Sequence, residues 1–282
     1  MTDRVAIVTG GLRGLGRAMA LGLVRSGVRV LAVGHIDSDI PEMQALLRAD
    51  EADRLDCLVA DIRKPAECDR VLAACLERFS RVDILVNSAG LTFTYIWPDR
   101  FRRDTPQKFW EAKDAVIQAV MDTNYVAADQ MTRRVAPLLV QQGWGRIVSV
   151  TTKLDTMNRI GTTPYGASKA ALEMATEVWA KELAGTGVTA NIVNPGAGAN
   201  TPGMAQEMRD WSREGKAPRL VEAEEMVPPL LYVASAEADA VNGYRFDANT
   251  WDTALPPTEA ARRNARPAGF VLHPQDAANW PG

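Results

Sequence analysis

The sequence predicts an α/β fold with a doubly wound parallel sheet of about seven strands and helices on both faces. Short, wholly apolar segments alternate along the chain with segments whose apolar residues recur at helical spacing. The first apolar segment, residues 5–8, stops at a Thr-Gly-Gly turn, as a strand buried on both faces should. Helical spacing over residues 15–25 then ends at a Ser-Gly pair, before a second apolar segment at residues 28–33.

The same alternation continues to residue 246 and defines the remaining elements. Because the carboxyl ends of parallel strands meet at one edge of a sheet, we expect the ligand site along that edge. The expected helices are residues 42–52, 65–79, 165–184 and 222–235, and the expected strands are residues 57–60, 82–86, 146–151, 188–193 and 244–246.

Composition favours a globular chain with a small-molecule ligand. The chain has 282 residues, 46% of them hydrophobic, and a formal net charge of −3 with both signs mixed along it. This charge pattern offers no basic stripe for nucleic acid or for an anionic membrane. With three cysteines in no CxxC pair and two distant histidines, we expect no metal site and no disulfide framework.

The chain is expected to form one main domain at residues 1–247, with an irregular insertion at about residues 91–113. Residues 248–282 contain five prolines, and we expect them to form an irregular C-terminal extension. No charged and apolar leader opens the sequence, and no run of about 18 apolar residues occurs in it. We therefore expect a cytoplasmic protein.

A glycine-rich loop with the spacing TGxxxGxG follows the first strand at residues 9–16. Its glycines allow a tight turn, and the helix that follows presents free N–H groups to an anion. A pyrophosphate is the ligand expected there. Taken alone, such a loop also occurs as a tight turn that binds no ligand.

Further motifs occur in order along the chain, and with the loop they make the sequence resemble the short-chain dehydrogenase/reductase family over about residues 4–247. The resemblance implies a Rossmann-type oxidoreductase that interconverts a ketone or aldehyde and a secondary alcohol by hydride transfer, with a tyrosine as proton donor or acceptor. The motifs are Asp61-Ile62 after the third strand, Asn87-Ser88-Ala89-Gly90 after the fourth, Asn124 within a helix, Tyr165-Gly166-Ala167-Ser168-Lys169, and Asn194-Pro195-Gly196 after the sixth strand.

The resemblance also implies which residues bind a nicotinamide dinucleotide. Asp61 and Ile62 would contact the adenine, the segment at residues 87–90 would lie along the cofactor, and Pro195-Gly196 would flank the nicotinamide. The expected cofactor-binding residues are Gly10, Leu12, Arg13, Gly14, Leu15, Gly16, His35, Asp61, Ile62, Asn87, Ala89, Gly90, Tyr165, Lys169, Pro195 and Gly196.

The end of the second strand predicts a preference for NADP(H), with NAD(H) as the alternative. In NAD-preferring relatives an acidic residue at this position binds the ribose 2′-hydroxyl, and it would repel a 2′-phosphate. Gly34 occupies the position here, His35 follows it, and Arg13 offers a basic side chain from the glycine loop. The nearby Asp37 and Asp39 argue in the other direction.

Tyr165 and Lys169 are the candidate catalytic pair. They are four residues apart, so on a helix both project from one face. A tyrosine with its ordinary pKa of about 10 is a poor base near neutral pH, and an adjacent ammonium lowers that pKa. The resemblance implies that the tyrosine transfers the proton and that the lysine also holds the nicotinamide ribose.

Thr152 and Asn124 complete the candidate catalytic set. The family's serine lies thirteen residues before the tyrosine, where this sequence has Thr152, whose hydroxyl can bond the substrate oxygen. Thr151 is the neighbouring candidate, but successive strand residues face opposite sides, so we expect only one to point into the site. Asn124 is expected to hold a helix backbone open for a water that connects Lys169 to solvent.

The substrate is assigned only as a small-molecule carbonyl compound or alcohol. The resemblance implies a substrate loop at about residues 197–218, where Met204, Met208 and Trp211 either line an apolar pocket or belong to the core. It also implies a homodimer or homotetramer.

Two rival functions remain open. A 3-oxoacyl-(acyl-carrier-protein) reductase would want a basic patch for an acidic carrier, and Arg-Phe-Arg-Arg at residues 100–103 is the one candidate. A non-catalytic dinucleotide sensor would have lost the tyrosine or the lysine, and both are present, which favours an enzyme. The tail, with Trp251, Phe270 and Trp280, is a candidate cover for a neighbouring subunit's active site.

Overall fold

The computed structural model describes residues 3–102 and 104–270, and an eight-stranded sheet forms its centre. This sheet confirms the expected α/β fold, with one strand more than the sequence indicates. Its strands are β1 Val5–Thr9, β2 Arg29–Gly34, β3 Leu55–Val59, β4 Ile84–Asn87, β5 Gly145–Ser149, β6 Val188–Asn194, β9 Tyr244–Asp247 and β10 Arg266–Pro267, while β7 Ala199–Asn200 and β8 Val221–Glu222 form a separate pair.

The strand order, β10-β9-β6-β5-β4-β1-β2-β3, places a topological switch between β1 and β4. All neighbouring strands of this sheet are parallel except β10, which is antiparallel to β9. After β1 the chain moves to one side of the sheet, and after β4 it moves to the other. A crevice for a ligand therefore opens at the carboxyl ends of β1 and β4.

Helices cover both faces of the sheet. They are α1 Gly14–Arg25, α2 Asp39–Ala45, α3 Pro65–Phe79, α4 Phe93–Ile96, α5 Asp114–Met121, α6 Ala127–Gln142, α7 Leu154–Met157, α8 Tyr165–Glu182, α9 Gln206–Arg213, α10 Val227–Val233 and α11 Pro257–Asn264. Among the residues described, none of these helices is long and apolar enough to cross a membrane.

The hydrophobic core has two parts, one on each face of the sheet. Alternate residues of β1 belong to different parts of the core. Ala6 and Val8 pack in the cluster that contains α1 and α10. Val5 and Ile7 pack in the cluster that contains α3 and α6. This is the arrangement that a wholly apolar, doubly buried strand predicts.

Two helices that the sequence predicts as continuous are interrupted. At residues 42–52, α2 ends at Ala45, and a 3₁₀ helix covers Ala49–Arg54 because the Glu51 carboxylate accepts a hydrogen bond from the Arg48 N–H and starts a new turn. At residues 222–235, a 3₁₀ turn precedes α10, since the two prolines at the start of α10 have no N–H and fit only a first turn.

The tail is more regular than its proline content predicts. Helix α11 begins at Pro257, where a missing N–H does no harm, and β10 then adds the eighth strand at the edge of the sheet. The expectation of an irregular tail is therefore wrong for residues 257–267. Residues 271–282, and with them Trp280, lie outside the described residues, and the domain boundary at residue 247 stays a prediction.

A buried ion pair links the tail to the centre of the sheet. Arg245 on β9 and Glu173 on α8 are fully buried, with Nη1 of the arginine 2.7 Å from Oε1 of the glutamate. Thr151, after β5, donates its hydroxyl to Glu173 Oε2 at 2.8 Å, and Arg245 Nη2 donates to the carbonyl oxygen of Thr152 at 2.9 Å. The Gly269 N–H of the tail donates to the same carboxylate at 3.3 Å. The pair thus fixes the chain where β5 ends.

The Arg245→Met substitution is expected to lower the free energy of unfolding by about 3 kcal/mol or more, because it leaves the buried Glu173 carboxylate without its cation. A Glu173→Gln/Arg245→Met double variant should lose less than the sum of the single losses, since neither charge is then left alone. Urea unfolding measures these values, with Arg263→Met, which removes an exposed partner of Glu259, as the control. A loss in Arg245→Met no larger than in this control would contradict the assignment.

Candidate active site

The loop between β1 and α1 has a backbone that requires glycine. Gly10 and Gly14 have φ angles of 65° and 56°. A Cβ atom at Gly10 would lie 2.8 Å from the Cα of Ala89, and one at Gly16 would overlap the Gly10 carbonyl oxygen. Arg13, which precedes α1, does not cap the first turn with its side chain, so the N–H groups of that turn can bind an anion. The loop therefore has the form of a pyrophosphate cradle.

The end of β2 closes the next part of the crevice. A Cβ atom at Gly34 would lie 2.8 Å from Cδ1 of the buried Leu12, so a side chain at this position would require Leu12 to move. His35 beside it is exposed. Arg13 is 44% exposed, and its Nη1 lies 3.7 Å from Asp39 Oδ2. Arg13 would attract a 2′-phosphate bound here, and the Asp39 carboxylate would repel it.

Three further residues that the sequence predicts to bind the cofactor differ in burial and in hydrogen bonding: Leu15, Asp61 and Ile62. Leu15 is partly buried against the core, and Ile62 is buried after β3. Asp61 accepts hydrogen bonds from Arg63 Nε at 2.7 Å and Nη2 at 2.9 Å, and these hold the pKa of its carboxyl below the usual range. An adenine bound to Asp61 would compete with Arg63, so this contact stays a prediction.

Thr9 and Asn87 hold the loop that follows β4. The Thr9 hydroxyl accepts hydrogen bonds from the N–H groups of Ser88 at 3.1 Å and Ala89 at 3.3 Å. Asn87 donates its amide to the Thr132 hydroxyl at 2.9 Å, but its Oδ1 is buried and has no hydrogen-bond partner among the described residues. Buried acceptors are normally satisfied, so this atom is available to a donor from a bound group.

Gly90 brings this loop next to the candidate catalytic residues. A Cβ atom at Gly90 would lie 3.3 Å from Asn124 Oδ1 and 3.5 Å from Lys169 Nζ. Asn124 is fully buried in a π-helical turn, Asp122–Val126, and exchanges hydrogen bonds with the Leu91 backbone at 2.7 and 3.1 Å. Such widened turns often occur at functional sites. That these bonds hold the helix backbone open, and that a water lies beside it, stay predictions.

Lys169 is buried on the first turns of α8. Its Nζ donates to the Val150 carbonyl oxygen at 2.8 Å, and burial lowers the pKa of the ammonium from 10.5 to about 8. The neighbouring Ser168 accepts a hydrogen bond from Asn124 Nδ2 at 2.9 Å, which joins the two candidate catalytic elements. The lysine is therefore charged at neutral pH but close to losing its proton.

Tyr165 and Thr152 share a hydrogen bond at the end of β5. Burial raises the pKa of the Tyr165 phenol, and the bond with the Thr152 hydroxyl acts in the opposite direction. The sequence predicts that Lys169 lowers this pKa. In the structure the ammonium is held by Val150 instead, and the net direction is upward.

The two threonines bond to different partners, although both lie beyond β5, which ends at Ser149, so strand alternation does not apply to them. Thr151 bonds to Glu173 in the interior, whereas Thr152 faces Tyr165. Thr152 is therefore the one of the two that lies beside the tyrosine, and its contact with a substrate oxygen stays a prediction.

The turn after β6 forms the opposite side of the crevice. Gly196 has a φ angle of 72°, and its N–H donates to Asn194 Oδ1 at 2.9 Å. The Pro195 carbonyl oxygen accepts the N–H of Asn249 at 3.1 Å, and a Cβ atom at Gly196 would overlap the Asn249 side chain. The turn thus lies at the same sheet edge as the other candidate residues.

The insertion contacts the predicted substrate loop. The Thr92 hydroxyl donates to the Gly203 carbonyl oxygen at 2.6 Å, which ties the two segments together. On the inner side, the rings of Phe93 and Tyr165 have centroids 4.5 Å apart. An aromatic ring of the insertion therefore packs against the candidate proton donor.

Several features near the site are missed or left open by the sequence. Met204 and Met208 are half-buried and Trp211 is 39% exposed, and none of the three belongs to the buried core clusters. The roles of Glu173 and Arg245 are not predicted at all. The one sequence feature that could indicate this buried pair is Arg245 itself, because it lies between apolar residues of a short strand.

The residues present fit a nicotinamide dinucleotide. The glycine loop has no room for side chains at Gly10 and Gly16, so a bound group can approach its backbone, and Asn87 holds a buried acceptor with no partner among the described residues. The loops after β1, β4 and β6 would hold the pyrophosphate, the ribose and the nicotinamide in that order. In the described part of the chain, no group of three or more histidine, cysteine, aspartate or glutamate residues is arranged to hold a metal ion.

Comparison with known proteins agrees with this geometry. The family model for short chain dehydrogenases matches residues 4–213. The chain is 35% identical over 199 residues to a 3-oxoacyl-[acyl-carrier-protein] reductase of Synechocystis, covering 70% of this chain and 74% of that protein. It is 33% identical over 199 residues to an acetoacetyl-CoA reductase of Cupriavidus necator, covering 70% and 75%.

A solved structure also resembles this one over nearly its whole length. It is a putative NAD(P)-dependent gluconate 5-dehydrogenase from Beutenbergia cavernae with bound NADP, with a TM-score of 0.74 and 29% identity. The match covers 88% of this chain and 96% of that one. The chain therefore belongs to the short-chain dehydrogenase/reductase family of NAD(P)-dependent oxidoreductases.

Proposed function

We propose that the protein interconverts a ketone or aldehyde and a secondary alcohol with NADP(H). One observation carries the proposal: the hydroxyls of Tyr165 and Thr152 meet at the end of β5, and Lys169 and Asn124 lie against Gly90 of the cofactor crevice. The proposed proton donor and the proposed dinucleotide site are thus parts of one cleft. When bound, the reduced dinucleotide supplies the hydride.

In the reducing direction, Tyr165 donates a proton to the carbonyl oxygen of the substrate. Thr152 donates a hydrogen bond to the same oxygen and stabilises the negative charge that develops there. The raised pKa of Tyr165 keeps the phenol protonated at neutral pH, and this is the form that reduction requires. Oxidation requires the phenolate, which the buried site disfavours.

Lys169 and Asn124 are proposed to restore the proton on Tyr165. Lys169 loses its own proton near pH 8, within the range where it can act as a relay. Asn124 bonds to Leu91 and Ser168 and keeps the π-helical turn next to the lysine open. A water at that turn would connect the ammonium with solvent.

The preference for NADP(H) is supported by Gly34 and Arg13. Gly34 has no carboxylate that would repel a 2′-phosphate, and Arg13 carries the charge that a 2′-phosphate needs. Asp39 lies near the arginine and would weaken this attraction.

A 3-oxoacyl-(acyl-carrier-protein) reductase activity is the second candidate, because relatives with that name align over most of the chain. A homodimer or homotetramer and a cytoplasmic location remain predictions.

Tyr165→Phe is expected to lower the turnover number by roughly 100-fold or more, because it removes the proton donor. The dissociation constant for NADPH should change little. Reduction of a panel of aryl, alicyclic and acyl-thioester ketones, followed at the NADPH absorbance, measures the first value, and fluorescence titration measures the second. Tyr232→Phe, in the core away from the site, is the control. Full turnover in Tyr165→Phe would remove the tyrosine from the mechanism.

Lys169→Met is expected to change how stability depends on pH. Lys169 has a pKa of about 8 in the folded chain against 10.5 for an ordinary lysine. Between these values the unfolded chain binds more protons, so the free energy of unfolding rises with pH, and this contribution is lost as the pH falls through 8. At about 1.4 kcal/mol per pKa unit, the wild type should gain roughly 2–3 kcal/mol relative to the variant between about pH 7 and pH 10.

Urea unfolding of both proteins at the two pH values tests this, with the exposed Lys216→Met as control. If the wild type and Lys169→Met keep the same stability difference at both values, the lysine is not held with a lowered pKa.

Arg13→Ala is expected to weaken NADPH binding roughly tenfold or more, through the loss of a charge-assisted contact, and to leave NADH binding nearly unchanged. Asp39→Asn should strengthen NADPH binding, because it removes a like charge. Fluorescence titration with both nucleotides measures the changes, and Arg17→Ala, whose partner is Glu42, is the control. Equal weakening of NADPH and NADH in Arg13→Ala would refute the proposed preference.

A further inference from the structure

We propose that Asn264, in the C-terminal extension, is a positioning residue that fixes the turn at Pro195-Gly196 for the nicotinamide. The inference rests on the proposed function, which gives the extension no part in the chemistry. Two successive sets of contacts carry it. Asn264 holds a short turn after β9, and that turn holds Pro195-Gly196.

The side chain of Asn264 takes the place of a strand beside the last residue of β9. β10 pairs with β9 at Arg266 opposite Arg245, and the same register brings Asn264 opposite Asp247. Asn264 ends α11, so its side-chain amide makes the bonds instead. Its Oδ1 accepts the Asp247 N–H at 2.8 Å, and its Nδ2 donates to the Asp247 carbonyl oxygen at 3.0 Å. Facing residues of antiparallel strands exchange the same two bonds.

The same amide also holds the far end of the turn after β9. This 3₁₀ turn covers Ala248–Thr250, and Asn264 Nδ2 donates to the Thr250 hydroxyl oxygen at 3.0 Å. The Thr250 hydroxyl in turn donates to the Asp247 carbonyl oxygen at 3.3 Å. One side chain therefore holds both ends of the turn, and these bonds restrain Asn249 between them.

Asn249 transmits this restraint to the proposed nicotinamide turn. Its N–H donates to the Pro195 carbonyl oxygen at 3.1 Å. A Cβ atom at Gly196 would overlap the Asn249 side chain and would lie 2.9 Å from Cβ of Asp247, so the Gly196 backbone lies directly against both residues. Because packed groups transmit displacements, a shift of the turn after β9 moves Gly196.

The restraint concerns only one half of the dinucleotide. Hydride transfer needs reacting atoms about 3–3.5 Å apart, and a misplacement of about 1 Å can slow a reaction roughly 100-fold. The pyrophosphate is proposed to bind at the loop between β1 and α1, and the strands β6, β5 and β4 separate β1 from β9. Asn264 should therefore affect the binding of the nicotinamide and not that of the adenosine half.

A matched control lies at the other end of the same strands. Asn242, just before β9, accepts the Ala190 N–H at 2.9 Å and donates to the Ala180 carbonyl oxygen at 2.7 Å. It makes the same kinds of bond as Asn264, but at the amino end of β9, whereas the crevice lies at the carboxyl ends of the strands. Asn242→Ala should therefore lower stability without moving the nicotinamide turn.

The test compares NADPH with 2′-phosphoadenosine diphosphoribose, which is the same molecule without the nicotinamide. Calorimetry gives both dissociation constants for the wild type, Asn264→Ala and Asn242→Ala. Thr250→Val is a milder variant, since it removes one exposed hydroxyl from the same turn. Urea unfolding shows that each variant is folded. NADH and adenosine diphosphoribose are compared in the same way, so the result does not depend on the preference for NADP(H).

Asn264→Ala should weaken NADPH binding roughly fivefold or more and change binding of the fragment by less than about twofold, as expected for a site coupled to the nicotinamide alone. Thr250→Val should act in the same direction with a smaller effect, and it decides the test if Asn264→Ala does not fold. Asn242→Ala should leave both constants nearly unchanged.

Unchanged NADPH binding in Asn264→Ala would overturn the inference, as would equal weakening of NADPH and the fragment. A loss in Asn242→Ala as large as in Asn264→Ala would also overturn it, and so would a wild type that binds NADPH no more tightly than the fragment.

Turnover of the ketone panel by the wild type, measured separately, distinguishes this inference from the proposed function. A selective loss of NADPH binding in Asn264→Ala, without turnover of any compound by the wild type, supports the inference and contradicts the proposed function. Turnover that Tyr165→Phe abolishes, together with equal losses of both ligands in Asn264→Ala, contradicts this inference alone.

Discussion

The position of the candidate active site depends on the buried contact between Glu173 and Arg245. The carboxylate accepts the Thr151 hydroxyl, and the guanidinium holds the Thr152 carbonyl oxygen, so consecutive residues after β5 are fixed by the same pair. Because a side chain after a strand can point to either face, these bonds decide that Thr152 and not Thr151 meets Tyr165. Glu173 is one turn beyond Lys169 on α8, so the pair also aligns the helix that carries both candidate catalytic groups.

Burial has opposite effects on the two titratable groups at the site. It raises the pKa of Tyr165 and lowers that of Lys169 to about 8, so it shifts both groups toward their neutral forms, although the lysine is still charged at neutral pH. The protonated phenol suits the donation of a proton to a carbonyl oxygen, and the lysine is close to exchanging its proton near neutral pH. Gly90, in contact range of Lys169 and Asn124, joins this proton chemistry to the crevice that the glycine loop begins.

Much of the site could be predicted from sequence because it depends on local rules. The apolar segments predict the strands of the sheet, and the glycines indicate backbone positions where a side chain would not fit. The spacing of Tyr165 and Lys169 predicts that both lie on one helix face. The contacts that could not be predicted join residues far apart in sequence, such as Arg245 with Thr152 or Phe93 with Tyr165. The spacing of Tyr165 and Lys169 predicts a lowered pKa for the tyrosine, but burial raises it, and the lysine ammonium bonds to Val150. The strand β10 was missed since two residues in a proline-rich tail carry no periodic pattern.

We propose that the glycine loop and Tyr165 belong to one site. A crystal structure of the protein with NADPH tests it most directly. The account predicts the pyrophosphate on the loop at residues 9–16 and the nicotinamide ribose within hydrogen-bond distance of Tyr165 and Lys169, with the turn at Pro195-Gly196 against the nicotinamide. A dinucleotide bound with its nicotinamide away from Tyr165, or bound outside the crevice between β1 and β4, would contradict the account.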